Sequence, residues 1–440
     1  MKVLKFGGTS VGSPENMRAV MKLITNGEPK IVVLSAMSGT TNALVEISKY
    51  LRKKNKDTAR IFIGRLETDY KDVVNKLFTS DENKKEGLKA VRVSFETIKS
   101  FTSGKFSPAA ENTILAQGEL ISTQLFALLM QENGLNAKLL PALDFMRTDE
   151  DKAADSEYIR KNIFPVMEKV GKADYYITQG YICRNAEGEI DNLQRGGSDY
   201  TASLIGAATD AEEIQIWTDI DGFHNNDPRY VENTKKIDQL SFNEAAELAY
   251  FGAKILHPQT VLPARVQNIP VRLKNTLNPT DSGTLITSKS TGTGIKAVAA
   301  KDNITAVKIR SGRMLMAYGF LKSVFSVFEK YKTPIDMIST SEVAVSLTID
   351  NTEKLNKIKK QLDKFGTVEV DHDMSIVCMV GDIIGEERGF ASKVFDALDG
   401  IPIRMISYGG SRHNISVLVP STLKKRTLQA LSEDLLETAD

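Results

Sequence analysis

Apolar runs of strand length alternate with amphipathic segments of helix length from the first residues to about residue 288. Val3, Leu4 and Phe6 form the first of these runs. Lys30–Ser35, Ala137–Leu140, Tyr175–Thr178, Glu213–Trp217 and Val271–Leu273 follow. Their apolarity is continuous rather than alternating, which predicts strands buried on both faces in a largely parallel α/β sheet covered by helices. Functional loops of such a sheet gather at the carboxyl ends of its strands. Residues 57–103 carry helical spacing with many charges and predict a helical insertion on one side of the sheet.

The pattern changes at two turn-rich stretches, Asn278–Gly283 and Ser288–Gly294. Beyond them the chain repeats itself. Gly319-Phe320-Leu321, Val324-Phe325, Pro334-Ile335-Asp336-Met337-Ile338-Ser339 and the strand Val343–Ile349 form one copy. Gly389-Phe390-Ala391, Val394-Phe395, Pro402-Ile403-Arg404-Met405-Ile406-Ser407 and the strand Asn414–Val419 form the other. Each copy follows the ferredoxin-like βαββαβ plan. The first ends in a candidate fourth strand, Thr367–Val370, whereas the second ends in a helix from Leu423 to Leu436. A spare strand, 295–300, precedes the first copy and is expected to complete the sheet of the second. The expected domains are therefore 1–288, an inserted repeat at 301–371, and 295–300 joined with 372–440.

Composition narrows the function. The chain has 440 residues, 26% of them charged, and a net charge of +1, which gives no basis for a nucleic-acid or membrane surface. No apolar run reads as long enough to cross a bilayer and no signal-peptide layout opens the chain, so a cytoplasmic protein is expected. Cys183 and Cys378 lie far apart in apolar company and read as buried thiols. Among the four histidines none has metal-ligand spacing with another histidine or a cysteine.

The candidate chemistry sits at strand ends. Lys5-Phe6-Gly7-Gly8-Thr9-Ser10 follows the first strand. Its glycines let backbone N–H groups turn toward a ligand, and the lysine adds a point charge where phosphate oxygens would collect. An ordinary strand-to-helix turn with a surface lysine is the competing reading. Ser35–Asn42 is dense in hydroxyls and leads into a helix, so it serves either an anion or a helix cap. Gln117-Gly118-Glu119 places a carboxylate in a largely apolar helix. Arg195-Gly196-Gly197-Ser198-Asp199-Tyr200-Thr201-Ala202 is a second diglycine loop opening a small-residue helix, with an arginine able to grip a carboxylate through two bonds. Trp217-Thr218-Asp219-Ile220-Asp221-Gly222 ends a strand in an acidic turn, followed by Asp227-Pro228-Arg229 and by Lys254. Two nests, two arginines, two lysines and several hydroxyls suit phosphoryl transfer, which depends mainly on positioning and charge neutralisation. Neither a P-loop nor a dinucleotide fingerprint is present: Gly104-Lys105 is followed by Phe106, and Gly292 and Gly294 lack a third glycine.

These motifs, in this order and with the doubled C-terminal repeat, resemble the aspartate kinase (aspartokinase) family over nearly the whole chain. The resemblance implies an amino-acid-kinase fold joined to two ACT domains. It also implies ATP-dependent phosphorylation of aspartate to 4-phosphoaspartate, the step that opens the route to lysine, threonine and methionine. By resemblance Lys5 contacts the phosphates, Asp199 orients it, and Gly7, Gly8 and Ser10 line the nest. Thr218, Asp219, Arg229 and Lys254 match nucleotide contacts, and the ring of His224 is expected to stack on adenine. Ser35, Thr41, Glu119, Arg195 and Ser198 match aspartate contacts, with Arg195 on the α-carboxylate and Glu119 on the α-ammonium. Magnesium would arrive with ATP, held by phosphate oxygens and water. No general base is needed, since the substrate carboxylate is already a nucleophile at neutral pH.

The chain departs from the family in two places. His224 stands where many members have tyrosine. Met314-Leu315-Met316-Ala317 stands where lysine-inhibited bacterial members read Met-Leu-His-Ser. Asp336, Thr340, Ser341 and Glu342 match the family's effector pocket, Met314, Ala317, Leu321 and Ile335 are its other expected residues, and the two carboxylates suit a doubly cationic lysine. A homodimer paired through ACT domains is the family's default. The rivals are a related kinase for another carboxylate substrate and a catalytically idle amino-acid sensor. The ACT repeats and the Arg195 loop weigh against the first, and Lys5, Arg195 and Asp199 together weigh against the second.

Overall fold

Strand β1 (Lys2–Phe6) buries Val3, Leu4 and Phe6 and runs through the middle of a mostly parallel sheet. The computed structural model describes residues 1–104, 106–193, 196–252, 256–312, 318–383 and 389–436. After β1 come α1 (Pro14–Ile24), β2 (Lys30–Leu34), α2 (Thr40–Arg52), α3 (Lys56–Leu77), α4 (Asp81–Ser100), α5 (Pro108–Glu132) and β3 (Ala137–Leu139). Helix α6 (Ser156–Val170), β4 (Tyr175–Gln179), the ribbon β5 (Ile182–Arg184) and β6 (Ile190–Asn192), α7 (Gly197–Ala208), β7 (Ile214–Thr218) and β8 (Gln239–Ser241) continue the chain. Then follow α8 (Phe242–Phe251), α9 (Leu262–Val266), β9 (Val271–Asn275) and β10 (Thr284–Thr287).

Among the described residues two compact units form. Residues 1–222, 238–242 and 256–289 make the first. Its sheet has the order β3-β4-β2-β1-β7-β9-β10-β8, parallel from β3 to β9 and antiparallel between β9 and β10. Every residue of β2 and β4 is buried, as continuous apolar runs require. Because β1 has β2 on one side and β7 on the other, strand order reverses beside it, and the crevice at these carboxyl ends is where an open α/β sheet holds ligands. The insertion read at 57–103 is the helix pair α3 and α4.

Helix α5 corrects one expectation. Its length and composition would allow it to cross a membrane, but 78% of its apolar window is buried inside the protein. Gln117, Glu119, Ser122 and Thr123 interrupt the apolar run in sequence, yet all four are buried with it, which marks a helix of the protein core.

Residues 223–237, 243–255 and 290–440 make the second unit. It contains β11 (Gly294–Arg310), α10 (Phe320–Lys330), β12 (Ile338–Thr340), β13 (Ala344–Ile349), α11 (Leu355–Leu362), β14 (Thr367–Asp382), α12 (Phe390–Ala397), β15 (Met405–Tyr408), β16 (Asn414–Pro420) and α13 (Lys424–Leu435). Its strands form one antiparallel sheet in the order β12-β13-β11-β14-β16-β15. The two long strands run side by side, so residues 305–310 pair with the first copy's β13 while 295–300 lie against 377–381 at the start of the second copy. Register shifts between Lys301 and Ala306, with Asn303 at φ +60°, mark the junction of the copies. Separate cores form around Val307, Phe328 and Leu347, and around Val377, Val417 and Leu428. Segments 223–237 and 243–255 join this unit through polar ties. The Asn226 amide donates to the Leu428 carbonyl at 3.1 Å, and Lys424 donates to the Tyr230 hydroxyl at 2.8 Å. Lys296 pairs at 2.8 Å with Glu244, which is fully buried.

Candidate active site

Lys5 points from the carboxyl end of β1 to Asp199 on the first turn of α7, with Nζ 2.7 Å from Oδ1. The contact is an ion pair rather than an aligned hydrogen bond. Both side chains are nearly buried, so the charges interact more strongly than they would at the surface. The Gly7-Gly8 loop turns under this pair. A Cβ on Gly8 would lie 2.9 Å from the Ala36 carbonyl oxygen, so the loop closes onto the end of β2 only with glycine there. The Ser38 N–H donates to the Gly8 carbonyl at 3.1 Å and the Ser10 N–H to that of Gly7 at 3.0 Å. These bonds fix the nest.

Two helices start at the site without a side-chain cap. Helices α1, α3, α4, α5 and α6 each take a cap from Ser13, Asn55, Ser80, Ser107 or Asp155. Helices α2 and α7 instead begin after Gly39 (φ +80°) and Gly196 (φ +70°), and neither N-cap makes a side-chain hydrogen bond among the described residues. Their N-terminal N–H groups and partial positive charge are left for an anion. The two starts are tied together: the Ser35 hydroxyl, before α2, donates to the Ser198 hydroxyl on α7 at 2.9 Å. Thr41, also expected here, lies in the first turn of α2.

Glu119 of α5 reaches the same place from below. Its Oε1 accepts from the Ala36 N–H at 3.2 Å, while Oε2 is buried and has no partner among the described residues. Burial pushes its carboxyl up to about 7. A buried acceptor with one oxygen open suits an ammonium donor, which would supply the missing bond and favour the ionised form.

On the other side of β1, Phe6 stacks on Trp217 with centroids 5.6 Å apart and fixes the end of β7. Thr218 and Asp219 then leave the sheet joined by a 3.1 Å hydroxyl–carboxylate bond. Ser10 shares a 2.8 Å hydrogen bond with Thr276, just past β9. His224 and Arg229 belong to the second unit, where His224 Nδ1 meets the Thr234 hydroxyl at 3.0 Å and Arg229 makes a bidentate pair with Asp227. Arg195, Lys254, Met314 and Ala317 lie outside the described residues. Of the expected effector residues, Asp336 is a buried carboxylate bonded to Lys301, whereas Thr340 and Glu342 are exposed near β12. Leu321 opens α10 and Ile335 packs against the first copy's core. The Ser341 N–H closes the β12–β13 turn onto Ala344.

Sequence reasoning does not reach Thr276, Gly180 or Tyr181. A Cβ on Gly180 would meet Ser198 at 2.5 Å, and Tyr181 holds φ +67° while its N–H donates to the Thr201 hydroxyl at 3.0 Å. Thr276 does carry a signal, a hydroxyl at the carboxyl end of a strand beside β7.

Residues 1–275 match the amino acid kinase family and residues 377–435 match the ACT domain. Lysine-sensitive aspartokinase 3 of Escherichia coli is 33% identical, over 99% of this chain and 99% of its own length. The chain belongs to the aspartokinase family. The chloroplastic aspartokinase 3 of Arabidopsis thaliana is 34% identical over 99% of this chain and 82% of its length. Among solved aspartokinases, E. coli aspartokinase III in complex with aspartate and ADP has a TM-score of 0.83 at 32% identity, covering 99% of this chain and 100% of that one. Clostridium acetobutylicum aspartate kinase has a TM-score of 0.85 at 26% identity with the same coverage. The amino-acid-kinase fold with ACT domains is therefore this family's architecture in this chain.

Proposed function

We propose that the crevice at the ends of β1 and β7 is where this chain, an aspartate kinase, phosphorylates L-aspartate with ATP to give 4-phospho-L-aspartate. The observation that carries the reading is Lys5 held by Asp199 above the diglycine nest, beside two uncapped helix starts and the open oxygen of Glu119. An oxygen of the aspartate side chain attacks the γ-phosphorus, the bond from that phosphorus to the β–γ bridging oxygen breaks, and ADP leaves. Lys5 neutralises the transferring group and Asp199 keeps its ammonium in place. Gly7, Gly8 and Ser10 hold phosphate oxygens. Ser35, Thr41, Arg195 and Ser198 hold the carboxylates of aspartate, and Glu119 takes its ammonium. Thr218, Asp219, His224, Arg229 and Lys254 serve the nucleotide.

Among the described residues no three His, Cys, Asp or Glu side chains converge to hold a metal. Magnesium would arrive with ATP, held by its phosphate oxygens and water, as its hard octahedral chemistry favours. Residues 1–288 form the catalytic domain, 301–371 the first ACT domain, and 295–300 with 372–440 the second. The pairing of 295–300 with 377–381 supports that division. Lysine acts as feedback effector at Asp336 and its neighbours. In support, E. coli aspartokinase III has been solved in complex with lysine and aspartate, at a TM-score of 0.80 to this chain. The chain works as a homodimer paired through its ACT domains, where exposed Ile338, Ile406 and Tyr408 offer apolar surface to a partner. An ATP-dependent hydroxamate assay tests the reading. Aspartate should give product and glutamate should not, whereas no product with either leaves only an amino-acid sensor.

A further inference from the structure

The effector residue Asp336 is tied to a helix that the family motifs do not name. A cavity of about 260 Å³ within the second unit is lined by Asp336, Met337, Glu247, Tyr250, Ser407 and Asn414. That is slightly smaller than the roughly 300–1,000 Å³ of drug-sized ligand sites, which suits a free amino acid. The Asp336 side chain is 1% exposed. Its Oδ1 accepts from Lys301 at 2.6 Å and from the Tyr250 hydroxyl at 2.7 Å. Lys301 also pairs with Asp350 at 3.0 Å and lies 4.6 Å from the Tyr250 ring centroid. Oδ2 of Asp336 is buried without a partner among the described residues. An unmet buried carboxylate oxygen is a strong acceptor in waiting. Glu247 is the second carboxylate on the cavity and accepts from Asn414. Two carboxylates beside one lysine favour a cationic guest.

Tyr250 and Glu247 both come from α8. The same helix is held to the unit by Asn243, 3.2 Å from His413, and by the buried Glu244–Lys296 pair. In the chain α8 follows β8 of the catalytic sheet directly, and Tyr250 stands four residues before Lys254.

We propose that α8 forms one wall of the effector pocket and that Tyr250 ties its carboxylate, Asp336, to that helix, so that a cationic amino acid bound there is read out through α8. The proposal rests on Asp336 being an effector residue. An incoming ammonium takes Oδ2 and draws the carboxylate's charge from Lys301 and Tyr250. The Tyr250 bond weakens, and α8 is freed to move relative to Asp336. Tyr250 is thus a positioning residue that couples binding to inhibition.

The test uses the full chain as wild type, Asp336→Asn and Tyr250→Phe, with lysine binding followed by calorimetry and lysine inhibition followed in the phosphorylation assay. Asp336→Asn should lose both. Tyr250→Phe should bind lysine with near wild-type affinity but need about tenfold more lysine, or greater, for half inhibition, a coupling loss in the usual allosteric range. Tyr250→Phe inhibited like wild type, or losing binding and inhibition together, overturns the coupling role. Asp336→Asn that still binds lysine, or a wild type that does not bind it, overturns the effector reading beneath it.

Discussion

Lys5 Nζ and Asp199 Oδ1 stand 2.7 Å apart, joining the end of the central strand to the start of a helix whose first turn has no side-chain cap. Without Asp199 the lysine would swing toward solvent. Asp199→Asn should leave the fold intact and lower kcat by about 10–100-fold, the scale of a misplaced catalytic group. Steady-state kinetics with aspartate and ATP checks this, and the change should fall on kcat more than on the KM for aspartate.

Glu119 gives the site a pH dependence. Its carboxyl is raised from 4.5 to about 7, chiefly by burial. An acid raised in the folded state adds stability at low pH, and that contribution declines as pH rises from about 4.5 through about 7. The melting temperature of the free protein should show this decline, and Glu119→Gln should not. Aspartate affinity should run the other way. It should strengthen as pH rises through about 7, where Glu119 ionises to receive the ammonium, and added aspartate should offset part of the stability loss. A pH series of aspartate KM and melting curves reads both.

Gly180 backs Ser198. A Cβ there would sit 2.5 Å from the Ser198 hydroxyl and 2.9 Å from its Cα, so α7 must move. Gly180→Ala should raise the KM for aspartate by about tenfold or more while ATP binding is kept, because a displaced donor costs on the order of a charge-assisted bond. Titration of nucleotide and aspartate separately distinguishes the two sites.

Cys183 and Cys378 are both fully buried. Burial pushes the Cys183 thiol up to about 12, and Cys378 is raised for the same reason. Neither should react with a thiol reagent at neutral pH until denaturant is added, and the native protein should show no labelling by mass.

The sequence carries the catalytic strands well because both faces of β2 and β4 are buried, which forces unbroken apolar runs. Lys5 and Asp199 are legible because each stands beside a diglycine turn whose backbone needs are local. What is hidden depends on distant partners. Tyr250 meets Asp336 across 86 residues, and neither position has a local pattern that announces the other. Gly180 is read only once Ser198 is placed against it. The spare strand 295–300 and the start of the first copy read as separate segments, yet the chain takes Asn303 at positive φ within one strand and keeps pairing, which joins the two copies in a single sheet. Helix α5 is misread for the opposite reason, since its polar residues break the run in sequence but are buried in space.

Lys5 is proposed to carry the charge of the transferring phosphoryl group. The direct measurement is kcat of Lys5→Ala in the aspartate-dependent ATP assay, with circular dichroism confirming the fold. A loss of at least about 10²-fold is expected, as for removal of a transition-state charge partner. A folded variant with near-normal kcat would contradict it.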